Sequence, residues 1–127
     1  MRRAIIFART AGVIGVLAII VLSLVPGPHR PHTWLPGKAE HFVAYCGTAS
    51  ALALGFPAAA CRIAAASCLA FLAGAMEVLQ RSVHGRHAAF SDALVSALGG
   101  VFGVVIGAIL YAAAARAYKN SSTPRVG

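Results

Sequence analysis

Residues 4–25 read AIIFARTAGVIGVLAIIVLSLV, and this stretch decides the class of fold. It is long and apolar enough to cross the hydrocarbon core of a bilayer as a helix, which takes about 20 residues. Arg9 interrupts it, but close enough to its start for the long side chain to reach the membrane interface. No small-residue cleavage site follows, so we expect a retained helix rather than a signal peptide.

The whole chain has the composition of a membrane protein. Of its 127 residues, 59% are hydrophobic and only 11% are charged, whereas soluble domains are typically about a quarter charged. This composition excludes disorder and argues against a soluble enzyme. The formal net charge is +8, but the basic residues are spread between apolar runs, which argues against nucleic-acid binding. The length allows one domain.

Three more helices are predicted after the first. The fold class is therefore all-α, a polytopic membrane protein with four transmembrane helices in a small-residue-packed bundle. Prolines between the first and second helices keep the chain out of helix there. The predicted helices are 4–25, 40–56, 63–80 and 93–115. The chain then divides into a basic N-terminal end, a transmembrane domain and a polar tail, at 1–3, 4–118 and 119–127.

Basic residues set the predicted orientation, because cytoplasmic loops carry an excess of Lys and Arg. Four spans place both termini on one side, and we predict a multi-pass cell-membrane protein with both termini cytoplasmic. The inner side then holds Arg2, Arg3, Arg9, Arg62, Arg116, Lys119 and Arg125, and the outer side Arg30, Lys38, Arg81 and Arg86. The carboxylates Glu40, Glu77 and Asp92 and all five histidines fall at the extracytoplasmic side.

The fourth helix carries two local signals. Ser91 or Asp92 can cap its N-terminus by accepting hydrogen bonds from unpaired N–H groups. Gly99, Gly103 and Gly107 repeat every fourth position and give a smooth face that another helix backbone can approach closely. The partner of this face is either a helix of the same chain or a second protomer in a homo-oligomer, and both alternatives stay open.

Polar side chains also mark the second and third helices. His41 and Tyr45 are four residues apart and share a helix face, and Glu77 and Gln80 share another. An unpaired carboxylate within an apolar stretch is costly, so Glu77 is expected to face protein or a cavity. The three cysteines show no CxxC spacing, and we expect free thiols buried in the bundle.

Residues 38–45 read KAEHFVAY and follow Leu24-x-Pro26. Further along come, in order, Glu77, Gln80, Arg86, Asp92, Gly99 and Gly103. Over about residues 20–110, this order and spacing resembles the VanZ-like family of membrane proteins, whose first motif is KxxHFxAY. The chain departs from that pattern where Gly37 replaces an Asp, Ala89 a small hydroxyl residue and Ser96 an Asn. The resemblance implies a link to resistance against glycopeptides of the teicoplanin type.

The preferred function is recognition of an anionic amphiphile at the extracytoplasmic face. A lipid headgroup, a lipid-linked precursor or a glycopeptide would fit, with membrane lipids as further partners. Cationic side chains would bind phosphate or carboxylate, since Arg engages such groups bidentately, and the other polar groups would orient the ligand. The predicted ligand-binding residues are Lys38, His41, Tyr45, Glu77, Gln80, Arg86 and Asp92.

Three alternatives stay open. The polar cluster could be purely structural, because buried polar groups need partners. It could belong to an intramembrane enzyme acting on a lipid headgroup, with Glu77 as general base and His41 as acid or nucleophile, although GxSxG and HExxH motifs are absent. The pairs His29-x-x-His32 and His84-x-x-His87 could bind zinc, but we predict neither a metal nor a cofactor.

Overall fold

The computed structural model describes residues 1–29, 34–85 and 89–122. Within these ranges every regular element is helical, which confirms the all-α prediction. The elements are α1 (Arg2–Leu24), a single 3-10 turn (Gly27–His29), α2 (Gly37–Gly55), α3 (Ala59–Gln80) and α4 (Phe90–Ser122).

The helices begin earlier than the sequence predicted. α2 starts directly after Pro36 and α3 two residues after Pro57, because proline disturbs a helix in its interior but is tolerated at its start. Arg62 therefore lies in the first turn of α3. α4 has 33 residues and includes Lys119 of the predicted polar tail. At 1.5 Å per residue it is about 50 Å long.

Three of the four helices in the described part of the chain are long and apolar enough to cross a membrane. These are α1, α3 and α4. α2 is the exception because its first turns carry Lys38, Glu40 and His41. Length and composition thus support a membrane protein, and of the four predicted spans they support three.

α2 lies in the middle of the bundle and contacts the other three helices. A Cβ atom on Gly12 would meet the side chain of Leu52, and one on Gly15 the side chain of Thr48. Since the position on α2 falls as the position on α1 rises, these two helices run antiparallel. Their glycines allow the close approach.

The three glycines of α4 pack on α2 of the same chain. A Cβ on Gly99 would lie 2.5 Å from the carbonyl oxygen of Phe42, and a Cβ on Gly103 or Gly107 would press against the carbonyls of Cys46 or Ser50. Positions on both helices rise together, so α2 and α4 run parallel. Because α2 covers this face, a homo-oligomer would need another surface.

The core is narrow and built largely from small side chains. Tyr45 is its largest fully buried side chain, and it packs with Ile19, Ala49, Leu69 and Ala73. The prediction of buried cysteines is wrong for two of the three. Cys61 and Cys68 are exposed on the bundle surface and Cys46 is half-buried, because Leu69, Ala73 and Met76 form the apolar part of the buried face of α3.

The helix directions divide the bundle into two ends of different charge. The polar end holds the C-termini of α1 and α3 and the N-termini of α2 and α4, and the basic end holds the opposite termini. All three carboxylates lie toward the polar end, at Glu40, Glu77 and Asp92. The cations that the structure describes at the basic end are Arg2, Arg3, Arg9, Arg62, Arg116 and Lys119.

Candidate functional site

Glu77 is a buried carboxylate at the polar end, with only 7% of its surface exposed. It accepts a hydrogen bond from the backbone N–H of Ala89, the residue directly before α4. The N-terminus of a helix carries a partial positive charge that favours an anionic group nearby. Glu77 therefore faces protein, and the start of α4 provides its surroundings.

Tyr45 and His41 approach the same region from α2. Tyr45 is 2% exposed, and its phenol lies close enough to Glu77 for the two side chains to interact electrostatically. His41 is half-buried and Lys38 is exposed. Spacings of three and four residues place all three α2 side chains on one helix face, which runs from the buried interior at Tyr45 to the surface at Lys38.

Gln80 connects the ends of α1 and α3. It is 4% exposed, and its Nε2 donates a hydrogen bond of 3.2 Å to the carbonyl oxygen of Ser23. The last carbonyls of a helix have no partner within that helix. Gln80 therefore satisfies an acceptor at the C-terminus of α1 that the membrane interior would leave unpaired.

The predicted capping of α4 differs in the structure. Because α4 begins at Phe90, Ser91 and Asp92 lie inside its first turn and not at the capping position. Ser91 Oγ donates to Asp92 Oδ1 at 3.3 Å, and the Asp92 N–H donates to the carbonyl of Ala89 at 2.7 Å. The Asp92 carboxylate still lies at the positive end of the helix dipole.

A groove of about 670 Å³ runs along the outside of the bundle between α3 and the start of α4. It extends along α3 from Ala70 to Arg81, about 16 Å at the helical rise, and its walls are mainly apolar. Among the described residues that line the groove, the ionisable ones are Glu77 and Arg81. The groove thus passes from an apolar surface to charged groups at the polar end. The lining residues are Ala70, Phe71, Gly74, Ala75, Glu77, Val78, Leu79, Arg81, Phe90 and Ala93.

The structure brings most of the predicted site residues to one end. Tyr45, Glu77 and Gln80 are buried there, while His41 and Asp92 are half-buried. Lys38 is exposed at the start of α2, and Arg86 lies outside the described residues.

The predicted histidine pairs are each described only in part, since His32 and His87 lie outside the described ranges. His29 and His84 are exposed. Among the residues that the structure describes, no group of three His, Cys, Asp or Glu side chains is arranged to hold a metal ion.

Two features of the site lie outside the seven predicted ligand-binding residues. Arg81, one turn after Glu77, is a further cation that the sequence offers for phosphate or carboxylate, and it lines the groove. The second feature is the pair of backbone groups that the buried side chains bind. Gln80 donates to the carbonyl of Ser23, and Glu77 accepts from the N–H of Ala89. A sequence gives no sign of which distant backbone group a buried side chain will meet.

Comparison with family models, curated proteins and solved structures finds no match to this chain. The VanZ-like resemblance is therefore carried by the motif residues alone and stays a prediction.

Proposed function

We propose that the chain is a multi-pass membrane protein that binds a phosphate-bearing, anionic amphiphile at its polar end. One acyl chain lies in the groove between α3 and α4, and the headgroup lies beside Arg81. The observation that carries the proposal is the course of this groove, from apolar walls to a charged end. Both termini are cytoplasmic in this proposal, and the polar end is extracytoplasmic.

The headgroup supplies the selectivity of such a site. Lipid tails are as apolar as the groove walls, so an acyl chain gains little from leaving the bilayer beyond closer packing. A guanidinium can bind phosphate through two parallel hydrogen bonds. Arg81 and Lys38 are both exposed at this end and carry the charge needed to hold an anion.

Glu77 has a separate role in the proposal. One of its oxygens accepts the Ala89 N–H, and the residue also lines the groove. A carboxylate in this position accepts a hydrogen bond from a hydroxyl of the headgroup, which favours ligands that carry both phosphate and hydroxyl groups. Lipid-linked sugar precursors have this chemistry. A cell-envelope role and a link to teicoplanin-type resistance belong to the proposal through the motif resemblance.

Filling the groove tests the proposal. A Cβ on Gly74 meets nothing within 4 Å, so Gly74→Leu places its side chain in open groove space without forcing helices apart. Gly47→Leu is the matched control, because Gly47 is also helical and open but lies on α2, away from the groove.

Native mass spectrometry of detergent-purified protein is the measurement. We expect the wild type and Gly47→Leu to retain a lipid with a phosphate headgroup, and Gly74→Leu to lose it while circular dichroism shows unchanged helix content. Equal retention by the folded Gly74→Leu protein would exclude the groove as the binding site.

A structural role of the same cluster is the second candidate. It is favoured by the fact that Glu77 and Gln80 each bind a backbone group at a helix end. A folded Glu77→Gln protein with unchanged lipid retention would favour this role.

A further inference from the structure

Two arginines meet the C-terminus of α2 at the basic end. Arg9 of α1 donates from Nε to the carbonyl oxygen of Gly55 at 2.7 Å, and its guanidinium lies 4.8 Å from the ring centre of Phe56. The last carbonyls of a helix lack intrahelical partners and carry the negative end of its dipole. Arg9 therefore stabilises this end of α2.

Arg62 binds the same helix end from α3. Its Nε donates to the carbonyl oxygen of Ala53 at 3.1 Å, and its guanidinium lies 5.3 Å from the ring centre of Tyr111 on α4. A guanidinium has five N–H donors, and these contacts use one of them. Nη2 of Arg62 is buried and has no hydrogen-bond partner among the described residues. The guanidinium of Arg62 is thus held in place while its Nη2 N–H groups remain without an acceptor in the described part of the chain.

Nothing acidic in the described chain balances the charge at this end. The Asp and Glu side chains of the described residues all lie toward the polar end, whereas Arg2, Arg3 and Arg116 are exposed at the basic end. Arg9 lies within the apolar helix α1, less than two turns from its first residue. Arg62 lies within the apolar helix α3, less than one turn from its first residue. In a membrane-spanning bundle, that depth corresponds to the headgroup layer, where lipid phosphates lie.

From this arrangement we infer that the basic end binds the headgroups of anionic phospholipids. The guanidinium of Arg62 donates hydrogen bonds to a lipid phosphate, and the exposed cations around it attract further anionic headgroups. A phospholipid is favoured over a soluble polyanion because Arg9 and Arg62 lie inside apolar helices, where a lipid phosphate reaches them along its own acyl chains. This inference is independent of the groove at the polar end.

The native cysteine beside Arg62 gives a local measurement. Cys61 is exposed, so an environment-sensitive fluorophore can be attached to it in a Cys46→Ala, Cys68→Ala background. The labelled protein, in uncharged detergent, is titrated with short-chain phosphatidylglycerol and, separately, with short-chain phosphatidylcholine. We expect a saturable fluorescence change with the anionic lipid and none with the zwitterionic lipid.

Paired variants locate the binding. Arg3→Gln combined with Arg116→Gln removes two exposed cations and should weaken phosphatidylglycerol binding about fivefold for each cation. Lys38→Gln combined with Arg81→Gln removes the same charge from the polar end and should leave the Cys61 titration unchanged. Arg62→Lys should also weaken binding, because an ammonium lacks the planar fork of donors.

Three outcomes would overturn the inference. They are equal responses to the two lipids, an unchanged titration of the folded Arg3→Gln, Arg116→Gln protein, and a response to inorganic polyphosphate with none to phosphatidylglycerol. The last result would assign the surface to a soluble polyanion. Gly74→Leu leaves this titration unchanged, so failure here and failure of the groove proposal are distinguishable.

Discussion

Glu77 on α3 accepts a hydrogen bond from the backbone N–H of Ala89, twelve residues later in the chain. The contact holds the end of α3 against the start of α4. It also places a carboxylate at the positive end of the α4 dipole. Glu77 can therefore stabilise the bundle whether or not a ligand is bound. Its hydrogen bond to Ala89 and its negative charge near the start of α4 can be tested separately by the choice of substitution.

Replacing Glu77 with Leu should lower the free energy of unfolding by about 1–3 kcal/mol, because the Ala89 N–H loses its acceptor. Glu77→Gln keeps an oxygen acceptor and should cost less. Unfolding by dodecyl sulfate in mixed micelles measures both variants, and hydrogen exchange at the Ala89 amide reports the contact directly. Equal stability of the Leu and Gln variants would contradict this role of the carboxylate.

Gly103→Ala should destabilise the bundle by about 1–3 kcal/mol through overpacking. The added methyl would press on the carbonyl of Cys46 and lie 2.7 Å from Cβ of Ala49, so α2 and α4 must separate. Gly100→Ala is the control three residues away, where a Cβ would make an ordinary 3.7 Å contact with Leu69. There, replacing glycine within a helix should stabilise by up to about 1 kcal/mol. The same unfolding titration measures both variants. If neither variant lost stability, the result would contradict the α2–α4 contact.

Gln80→Leu should lower the free energy of unfolding by about 1–3 kcal/mol, since the buried carbonyl of Ser23 loses its donor. Thr10→Val removes a comparable hydrogen bond, from Thr10 Oγ1 to the carbonyl of Ile6, but at an exposed position. Its effect should be smaller than that of Gln80→Leu. Thermal unfolding in detergent ranks the two, and the opposite order would argue against the α1–α3 connection.

Cysteine labelling tests the proposed orientation in the membrane. In a protein whose single cysteine is Cys61, at the basic end, an impermeant maleimide should not label intact cells but should label inverted vesicles. A single cysteine introduced as Ser82→Cys, at the polar end, should show the reverse pattern. If both positions were labelled from the same side, the two bundle ends could not lie on opposite faces of the membrane.

The sequence was sufficient for the helical class and for the number of helices, because long apolar runs separated by Pro-rich and polar segments leave few alternatives. It also placed Tyr45, Glu77 and Gln80 near one another, since helix spacing and short connections determine which ends meet. It placed the starts of α2 and α3 a few residues too late, because the charged residues Lys38 and Arg62 lie in the first turns of these helices and interrupt the apolar pattern.

The contacts of Arg9 and Arg62 could not be predicted from the sequence. Arg9 binds the carbonyl of a residue 46 positions away, and no local pattern identifies such an acceptor. The partner of the Gly99, Gly103 and Gly107 face was open for the same reason. A stripe of small residues shows that a backbone comes close, but not which one.

Because α4 follows α2 in the chain, the ribosome synthesises α2 well before its glycine-lined partner exists. Until then the surface around Phe42, Cys46 and Ser50 has no cover from α4, and the polar first turn of α2 gives it little affinity for lipid on its own. A chain that stalls before residue 99 would display this surface to the proteases that survey newly inserted membrane proteins. The synthesis of α4 thus determines how long this surface of α2 stays uncovered.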